Sequence, residues 1–201
     1  YEDPRYEQLE YQHLLSSRKA GDEVKFTVWR DGKQVDLASK AQRIDVAGML
    51  VPWYEYGNQP EYIVVGGYVI QKLTRDYLEM WGEGWEGKTP PHLYHYLYNK
   101  AFEPTDQRQQ IVVLSYVLPA EINLGYHMLG RLVIRKVNGG EVRSLSEVLG
   151  GLTANTNSPF HTLEFEQENP TVVIPRDALP AANLRIAQQY GIPTLVNVRE
   201  V

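Results

Sequence analysis

Two adjacent glycines interrupt an apolar stretch of this 201-residue sequence and restrict how the chain around them can fold. The segment 61–73 reads EYIVVGGYVIQKL, and its apolar run breaks at Gly66–Gly67 and resumes at Tyr68, Val69 and Ile70. Glycine adopts torsion angles that a side chain forbids, so successive N–H groups could turn inward as an anion-binding nest. A strand that follows such a nest can offer a free edge, and the two together could hold the C-terminus of a peptide. The alternative is a bulge or a tight turn between two paired strands.

The composition excludes several classes of protein. The sequence is 43% hydrophobic and 22% charged, as is usual for a globular protein. Its formal charge of -5 and its lack of a dense Lys/Arg cluster argue against a nucleic-acid partner. The longest apolar runs, such as 111–114, are far shorter than a membrane span. The absence of cysteine excludes disulfides, thiolate metal sites and a cysteine nucleophile.

The first 43 residues predict one short helix and one hairpin. Residues 6–17 carry leucines among polar residues and favour a short helix, or an extended lead-in followed by one. Residues 24–30 alternate apolar and polar side chains, Asp31–Gly32 is a strong two-residue turn signal, and residues 34–41 return as a second strand. These elements are too few to bury a core of their own, so we expect them to need a partner.

The rest of the chain predicts a mixture of helices and strands. Thr74 and Ser144 are expected N-caps, Glu147 completes a capping box with Ser144, and Gly191 is expected to end the last helix. The expected helices lie at 73–81, 92–102, 144–152 and 178–190, and the expected strands after residue 73 lie at 110–118, 131–137, 162–166 and 171–174. The last two strands are predicted to form a hairpin around Asn169–Pro170.

The two halves of the sequence share an order of parts. SSRKAGDEVKFTVWRDGKQVDLASKA, in the first half, and LTANTNSPFHTLEFEQENPTVVIPRDA, in the second, each run from a helix through a polar loop to a strand, a tight turn and a strand. The identity between them is low, so the match is one of pattern. We infer that the chain is a complete second module preceded by the tail of a first one.

Four motifs in order resemble the C-terminal PDZ domain of the Deg (HtrA-like) serine proteases, in particular the branch with the plant enzymes. They are YIVVGGYVIQKLTRDYLEMW, QIVVLSYVLPAEINLGY, VIRKVNGGEVRSLSEVLGGL and the closing QQYGIP, and the resemblance extends over roughly residues 47–193. HLLSSRKAGDEVKFTVWRDGK is similar to the end of the first PDZ domain of the same enzymes. This similarity agrees with the shared order of parts in the two halves, which predicts the tail of a first module followed by a complete second one.

The resemblance implies an α+β fold, a PDZ-like small antiparallel β-barrel or sandwich capped by helices. Residues 1–43 would be the C-terminal part of a first PDZ-like domain, and residues 44–201 a second one with a helical insertion at 74–103. By the family's pattern, Gly66, Gly67, Tyr68 and Val69 would form the carboxylate-binding loop, Val69, Ile70 and the residues up to Lys72 the strand edge beside the peptide, and Leu145, Val148 and Leu149 the helix that lines the groove. The loop reads Gly-Gly-Tyr-Val where a Gly-Leu-Gly-Phe type is more usual.

The resemblance also implies a function without catalysis. The chain would be the regulatory and assembly region of a Deg-type serine protease, binding protein or peptide C-termini or internal segments by strand addition, or mediating protomer contacts in a homo-oligomer. The alternative is a stand-alone structural PDZ scaffold with an occluded groove that acts in oligomerisation. No cofactor is implied. The compartment would be the cell envelope or periplasm in a bacterium, and an organelle or the nucleus in a plant.

Three further features carry weaker signals. The family's Gly-Asn-Ser-Gly-Gly signature does not occur, and Ser16–Ser17 and Ser115 are expected to be structural, so we expect no proteolysis by this chain. His92 and His95 have a chelating spacing but no evident third ligand, which favours surface or interface histidines. The aromatic segment 81–98 is interpreted either as an oligomer interface or as internal packing.

Overall fold

A computed structural model describes residues 2–3, 7–8, 10–43, 45–46, 48–55, 57–154, 157–166 and 171–199. The chain divides into two compact units, 1–45 and 46–201. That the first unit is part of a preceding PDZ-like domain stays a prediction. In the ranges that the structure describes, no helix is long and apolar enough to cross a membrane.

The first unit contains one helix and two small antiparallel pairs of strands. Its elements are β1 (Glu2–Asp3), β2 (Glu7–Gln8), α1 (Tyr11–Ser16), β3 (Glu23–Arg30) and β4 (Lys33–Lys40). Strands β3 and β4 form a hairpin through Asp31 and Gly32, whose φ angles of 52° and 72° suit a two-residue type I′ turn. Val24 is the only buried apolar side chain among the described residues of this unit, so the hairpin has no core of its own.

The second unit is built on one antiparallel sheet. Its strands are β5 (Tyr62–Val65), β6 (Tyr68–Lys72), β7 (Val112–Val117), β8 (Leu132–Val137), β9 (Gly140–Glu141), β10 (Phe160–Phe165), β11 (Val172–Pro175) and β12 (Val196–Asn197). The spatial order is β11-β10-β8-β7-β6-β5-β12, and β9 pairs with β8. The predicted α+β class is confirmed. In the part of the chain that the structure describes, the sheet stays open at β11 and β12 and does not close into a barrel. The predicted turn at 169–170 lies outside the described residues.

Short helices cover the sheet, and three predicted end signals act as expected. The helices are α2 (Arg75–Glu79), α3 (Trp85–Lys88), α4 (Pro91–His95), a π-helical turn (Tyr96–Lys100), a 3₁₀ turn (Glu121–Asn123), α5 (Leu145–Thr153) and α6 (Leu179–Tyr190). The hydroxyl of Thr74 accepts from the Tyr77 N–H at 3.1 Å, and that of Ser144 accepts from the Glu147 N–H at 3.4 Å. The carboxylate of Glu147, the expected partner of Ser144 in a capping box, accepts a hydrogen bond from the Arg143 N–H. Gly191, with a φ of 63°, ends α6.

Both faces of the central strands are buried, which explains their near-continuous apolar sequence. Val112 and Leu114 of β7 point into a core shared with α5, whereas Val113 between them points into a second core. The second core is formed with the inserted helices and includes Leu78, Trp85, Leu93 and Leu97. Trp85 retains only 8% of its exposure, so it belongs to internal packing and is not available to a second subunit.

Candidate functional site

Gly66 and Gly67 form the two-residue turn of the β5–β6 hairpin. Val65 and Tyr68 are opposite each other in the register, and the two glycines between them have φ angles of 56° and 87°. Two successive positive φ values characterise the type I′ turn, which side chains other than Gly, Asn and Asp rarely adopt. Of the two alternatives given by the sequence, a nest beside a free strand edge or a tight turn between paired strands, the backbone adopts the tight turn.

Other parts of the chain satisfy polar groups of this turn. The Gly66 N–H donates to Oδ1 of Asn183 at 2.7 Å, and the Gly66 carbonyl accepts from Nδ2 of Asn123 at 2.8 Å. The Gly67 carbonyl accepts from the Leu118 N–H at 2.7 Å. A side-chain amide oxygen thus occupies the Gly66 donor that an incoming carboxylate would use.

Strand β6 is an interior strand, so the expectation of a free edge at residues 69–72 is wrong. It pairs with β5 over residues 68–71 and with β7 over residues 68–72. The tight turn is the physical reason, because it folds β5 directly back onto the edge where a peptide strand would add. A register shift between Val69 and Ile70 loosens the β7 side, where the Ser115 hydroxyl donates to the Val69 carbonyl at 3.0 Å.

The structure brings most of the predicted site residues together, but as a packed core. Tyr68, Ile70, Leu145 and Val148 are buried in one cluster, and Leu149 packs against it. The apolar face of α5 thus rests on β6 and its neighbouring strands. Whether these residues, with Gly66, Gly67 and Val69, bind a peptide stays a prediction.

Tyr68 is completely buried, yet its hydroxyl has no hydrogen-bond partner among the described residues. The nearest ring in edge-to-face geometry is that of Tyr126, with centroids 6.2 Å apart. Burial raises the pKa of Tyr68, and the nearby Tyr126 adds to the rise. The ring fills core volume beside the turn.

A buried ionic cluster that the sequence analysis did not predict lies at the other end of β6. Nζ of Lys72 is 2.6 Å from Glu55 and 2.7 Å from Glu61, and the Arg199 N–H donates to Glu61 at 2.7 Å. Burial alone would raise the pKa of Glu61, but the hydrogen bonds and charges of Lys72 and Arg199 outweigh it and hold the pKa below its usual value. The cluster fastens the segment that carries β12 against the outer edge of β5. One signal was present in the sequence: a lysine at the end of a mostly apolar strand, directly before Leu73.

Four aromatic rings lie at the surface beside the inserted helices, two of them exposed and two partly buried. We call them the aromatic row: Trp53, Tyr94, Tyr98 and Phe102. Tyr94 and Tyr98 stack with centroids 4.1 Å apart, and Trp53 meets Phe102 edge-on at 5.6 Å. Tyr98 retains 52% of its exposure and Phe102 retains 56%. The row includes the end of the predicted segment 81–98 and extends past it.

The histidines and serines singled out in the sequence have local roles. His92 Nε2 donates to the Arg131 carbonyl at 2.8 Å, and His95 Nδ1 lies 3.0 Å from Nδ2 of Asn99. Within the described ranges, no three His, Asp or Glu side chains are placed to hold a metal ion. Ser115 spans the register shift in the sheet, as described above.

Comparison with known proteins supports the resemblance read from the motifs. The PDZ domain family model matches residues 51–196. Protease Do-like 2, chloroplastic, from Arabidopsis thaliana is 31% identical over 194 residues, covering 94% of this chain and 29% of that protein. Putative protease Do-like 3, mitochondrial (29% identical; 71% of this chain, 23% of that protein) and Putative protease Do-like 12, mitochondrial (26%; 92% and 32%), from the same plant, are also similar. The chain thus spans less than a third of each of these relatives.

Proposed function

Because this chain belongs to the PDZ domain family and is similar to Do-like proteases, we propose that it is the non-catalytic region through which a Deg-type serine protease contacts its other protomers. PDZ domains are protein-interaction domains, and the chain is similar to a part of relatives that are named proteases. We propose the aromatic row as the surface that contacts the other protomers.

The aromatic row is the observation that carries the proposal. Tyr94 and Tyr98 lie four residues apart and stack on one side of the helical segment, and Phe102 follows in the turn just after it. Two half-exposed rings, Tyr98 and Phe102, beside two partly buried ones form an apolar surface that is unfavourable in water and typical of a surface that a partner covers. Rigid aromatic side chains also supply much of the binding energy at protein interfaces.

Two modes of interaction were considered, protomer contact and peptide binding by strand addition to β6. The structure of the sheet makes strand addition the less favourable of the two. A peptide could pair with β6 only after β5 or β7 had separated from it, and both strands hold it over most of its length. Such a separation would also expose Tyr68 and Ile70, which are fully buried. A stand-alone scaffold with the same occluded groove is the remaining alternative. A trypsin-like domain in the same polypeptide would favour the Deg-type protease over the scaffold.

Sedimentation equilibrium of the chain over a series of concentrations tests the proposal. We expect self-association of the unmodified chain, weakened at least about tenfold by Tyr98→Ser with Phe102→Ser, because an interface loses its largest apolar contacts. The matched control is Leu124→Ser with Met128→Ser, which removes two other exposed apolar side chains, 71% and 91% exposed. Monomeric behaviour at every concentration, or equal weakening by both double variants, would contradict the proposal.

A further inference from the structure

A groove lies between the C-terminal end of α2 and the outer face of the β6–β7 pair. We call it the α2 groove, and it has a volume of about 480 Å³. Its lining residues are Val69, Gln71, Tyr77, Met80, Trp81, Ser115, Tyr116 and Arg131. It lies on the opposite face of β6 from the core shared with α5, because Tyr68 and Ile70 point into that core and Val69 and Gln71 point outward. Of the predicted peptide-binding residues, Val69 is the only one in its lining.

Arg131 is the only charged residue in the lining. Its guanidinium lies 5.7 Å from the centroid of the Trp81 ring, a cation–π distance. Among the described residues of 46–201, it is the one Lys or Arg side chain with neither an ion pair nor a hydrogen bond. The others have carboxylate or carbonyl partners: Lys72, Arg75, Lys88, Lys100, Arg108, Arg135, Lys136, Arg143, Arg176, Arg185 and Arg199.

The backbone around Arg131 is held in place by its neighbours. Arg131 has a φ of 59°, in the left-handed region that costs a non-glycine residue roughly 1 kcal/mol or more. His92 donates to its carbonyl oxygen at 2.8 Å. At Gly130 a Cβ would lie 2.9 Å from the Ser115 carbonyl oxygen, so this loop can approach β7 only with glycine at that position. These contacts fix the loop that carries the guanidinium at the side of the groove.

The apolar part of the groove complements this charge. Tyr77 and Trp81 stand edge to face at 5.3 Å, and Met80 beside them keeps 79% of its exposure. Aromatic rings and an adaptable methionine form a surface suited to an apolar side chain of a ligand. No acidic residue lines the groove to neutralise Arg131 from within the chain.

We infer that the α2 groove binds an acidic peptide segment. A carboxylate of the peptide pairs with the guanidinium of Arg131, and the neighbouring apolar side chain packs against Tyr77, Met80 and Trp81. Guanidinium and carboxylate form two parallel, charge-assisted hydrogen bonds, which supply the selectivity for an acidic group. The carboxylate can be that of a Glu or Asp side chain or that of a peptide C-terminus. The inference is independent of the aromatic row.

NMR titration of the ¹⁵N-labelled chain with short peptides tests this inference. The probes are acetyl-Gly-Leu-Glu-Leu-Gly-amide, the same peptide with Gln for Glu, and acetyl-Gly-Leu-Gly-Leu with a free C-terminus. We expect saturable shifts of the Trp81 indole and Arg131 backbone signals, with affinity for the Glu peptide about tenfold above that for the Gln peptide. Binding of the third probe at the same signals would identify the C-terminus as a source of the carboxylate. Its failure to bind beside the Glu peptide would assign the site to acidic side chains.

Two variants and a control complete the test. Arg131→Gln should lower affinity for the Glu peptide to that for the Gln peptide, and Arg131→Glu should reject it and bind acetyl-Gly-Leu-Lys-Leu-Gly-amide instead. Arg185→Gln removes another exposed guanidinium, on α6, and should change nothing. Equal affinities for the Glu and Gln peptides, shifts centred on α5, or an unchanged Arg131→Gln variant would overturn the inference. If the chain does not self-associate in sedimentation but binds the Glu peptide in the NMR titration, only the proposed protomer contact is rejected.

Discussion

The side-chain amide of Asn123 donates to the carbonyl oxygen of Gly66 over 2.8 Å, although 57 residues separate the two in the sequence. Asn123 is fully buried and also donates to the Leu118 carbonyl at 2.8 Å. It therefore connects the turn of the β5–β6 hairpin to the segment that follows β7. The glycine turn is a fixed part of the core and not a loop waiting for a ligand.

Gly67→Ala should destabilise the fold strongly. A Cβ at this position would lie 2.4 Å from Nδ2 of Asn123 and 2.4 Å from the Leu118 carbonyl oxygen, at a φ of 87°. Both strain and displaced hydrogen bonds contribute, so we expect a loss of about 3 kcal/mol in the free energy of unfolding, measured in urea. Gly139→Ala is the control, because its φ of 79° is similar but no atom lies within 4 Å. A loss of about 1 kcal/mol is expected there. Equal losses of stability in Gly67→Ala and Gly139→Ala would contradict a destabilising contact of the new Cβ with Asn123 and Leu118.

Tyr68→Phe should leave the fold as stable as before or stabilise it by about 1 kcal/mol. The hydroxyl is buried without a partner, so removing it relieves a desolvation cost and keeps the ring in the core. Tyr62→Phe, in the neighbouring strand, should instead cost about 1 kcal/mol because its hydroxyl donates to the Thr194 carbonyl at 2.8 Å. Thermal or urea unfolding of both variants measures this contrast. A destabilised Tyr68→Phe variant would show that the hydroxyl has a favourable partner.

Local signals in the sequence predicted local structure well. The caps at Thr74 and Ser144, the turn at Asp31–Gly32 and the end of α6 at Gly191 each depend on residues within a few positions, and all lie where expected. The residues of the predicted peptide groove were also brought together, because alternation and helical spacing determine which side chains share a core.

The pairing of strands could not be predicted in the same way. Whether β6 has a free edge depends on how tightly Gly66–Gly67 turns, and glycine allows both a nest and a hairpin. β12 pairs with β5 over a separation of more than 130 residues, and two residues in a strand give no pattern to detect. Asn123 was missed because nothing in the sequence distinguishes it from any other loop asparagine.

Lys72→Met should destabilise the second unit by about 3 kcal/mol or more. The substitution keeps the side-chain length but leaves the carboxylates of Glu55 and Glu61 without the cation between them. Lys100→Met removes a half-exposed lysine that pairs only with Glu103, and should cost less than about 1 kcal/mol. Urea unfolding at neutral pH compares the two. A Lys72→Met variant as stable as Lys100→Met would show that the buried cluster contributes no net stability.

The stability of the second unit should decrease as the pH falls through the ordinary histidine range. Burial lowers the pKa of His161, the nearby Arg176 lowers it further, and the Asn138 amide donates to its Nδ1 at 3.1 Å. The unfolded chain therefore binds a proton more readily than the folded one, so stability is lost as the pH falls below about 6.5. Urea midpoints at about pH 7.5 and about pH 5.5 measure the loss, which His161→Gln should reduce. A steeper dependence in the variant would contradict this assignment.

Amide hydrogen exchange in strand β6 tests the central claim, that the strand is closed on both sides. Because β5 pairs with residues 68–71 and β7 pairs with residues 68–72, we expect slow exchange at successive amides from 68 to 71. We also expect this protection to stay unchanged when a peptide with a free C-terminus is added. Alternating fast and slow amides along β6, with the fast ones becoming protected on addition of the peptide, would show an open groove and contradict the account.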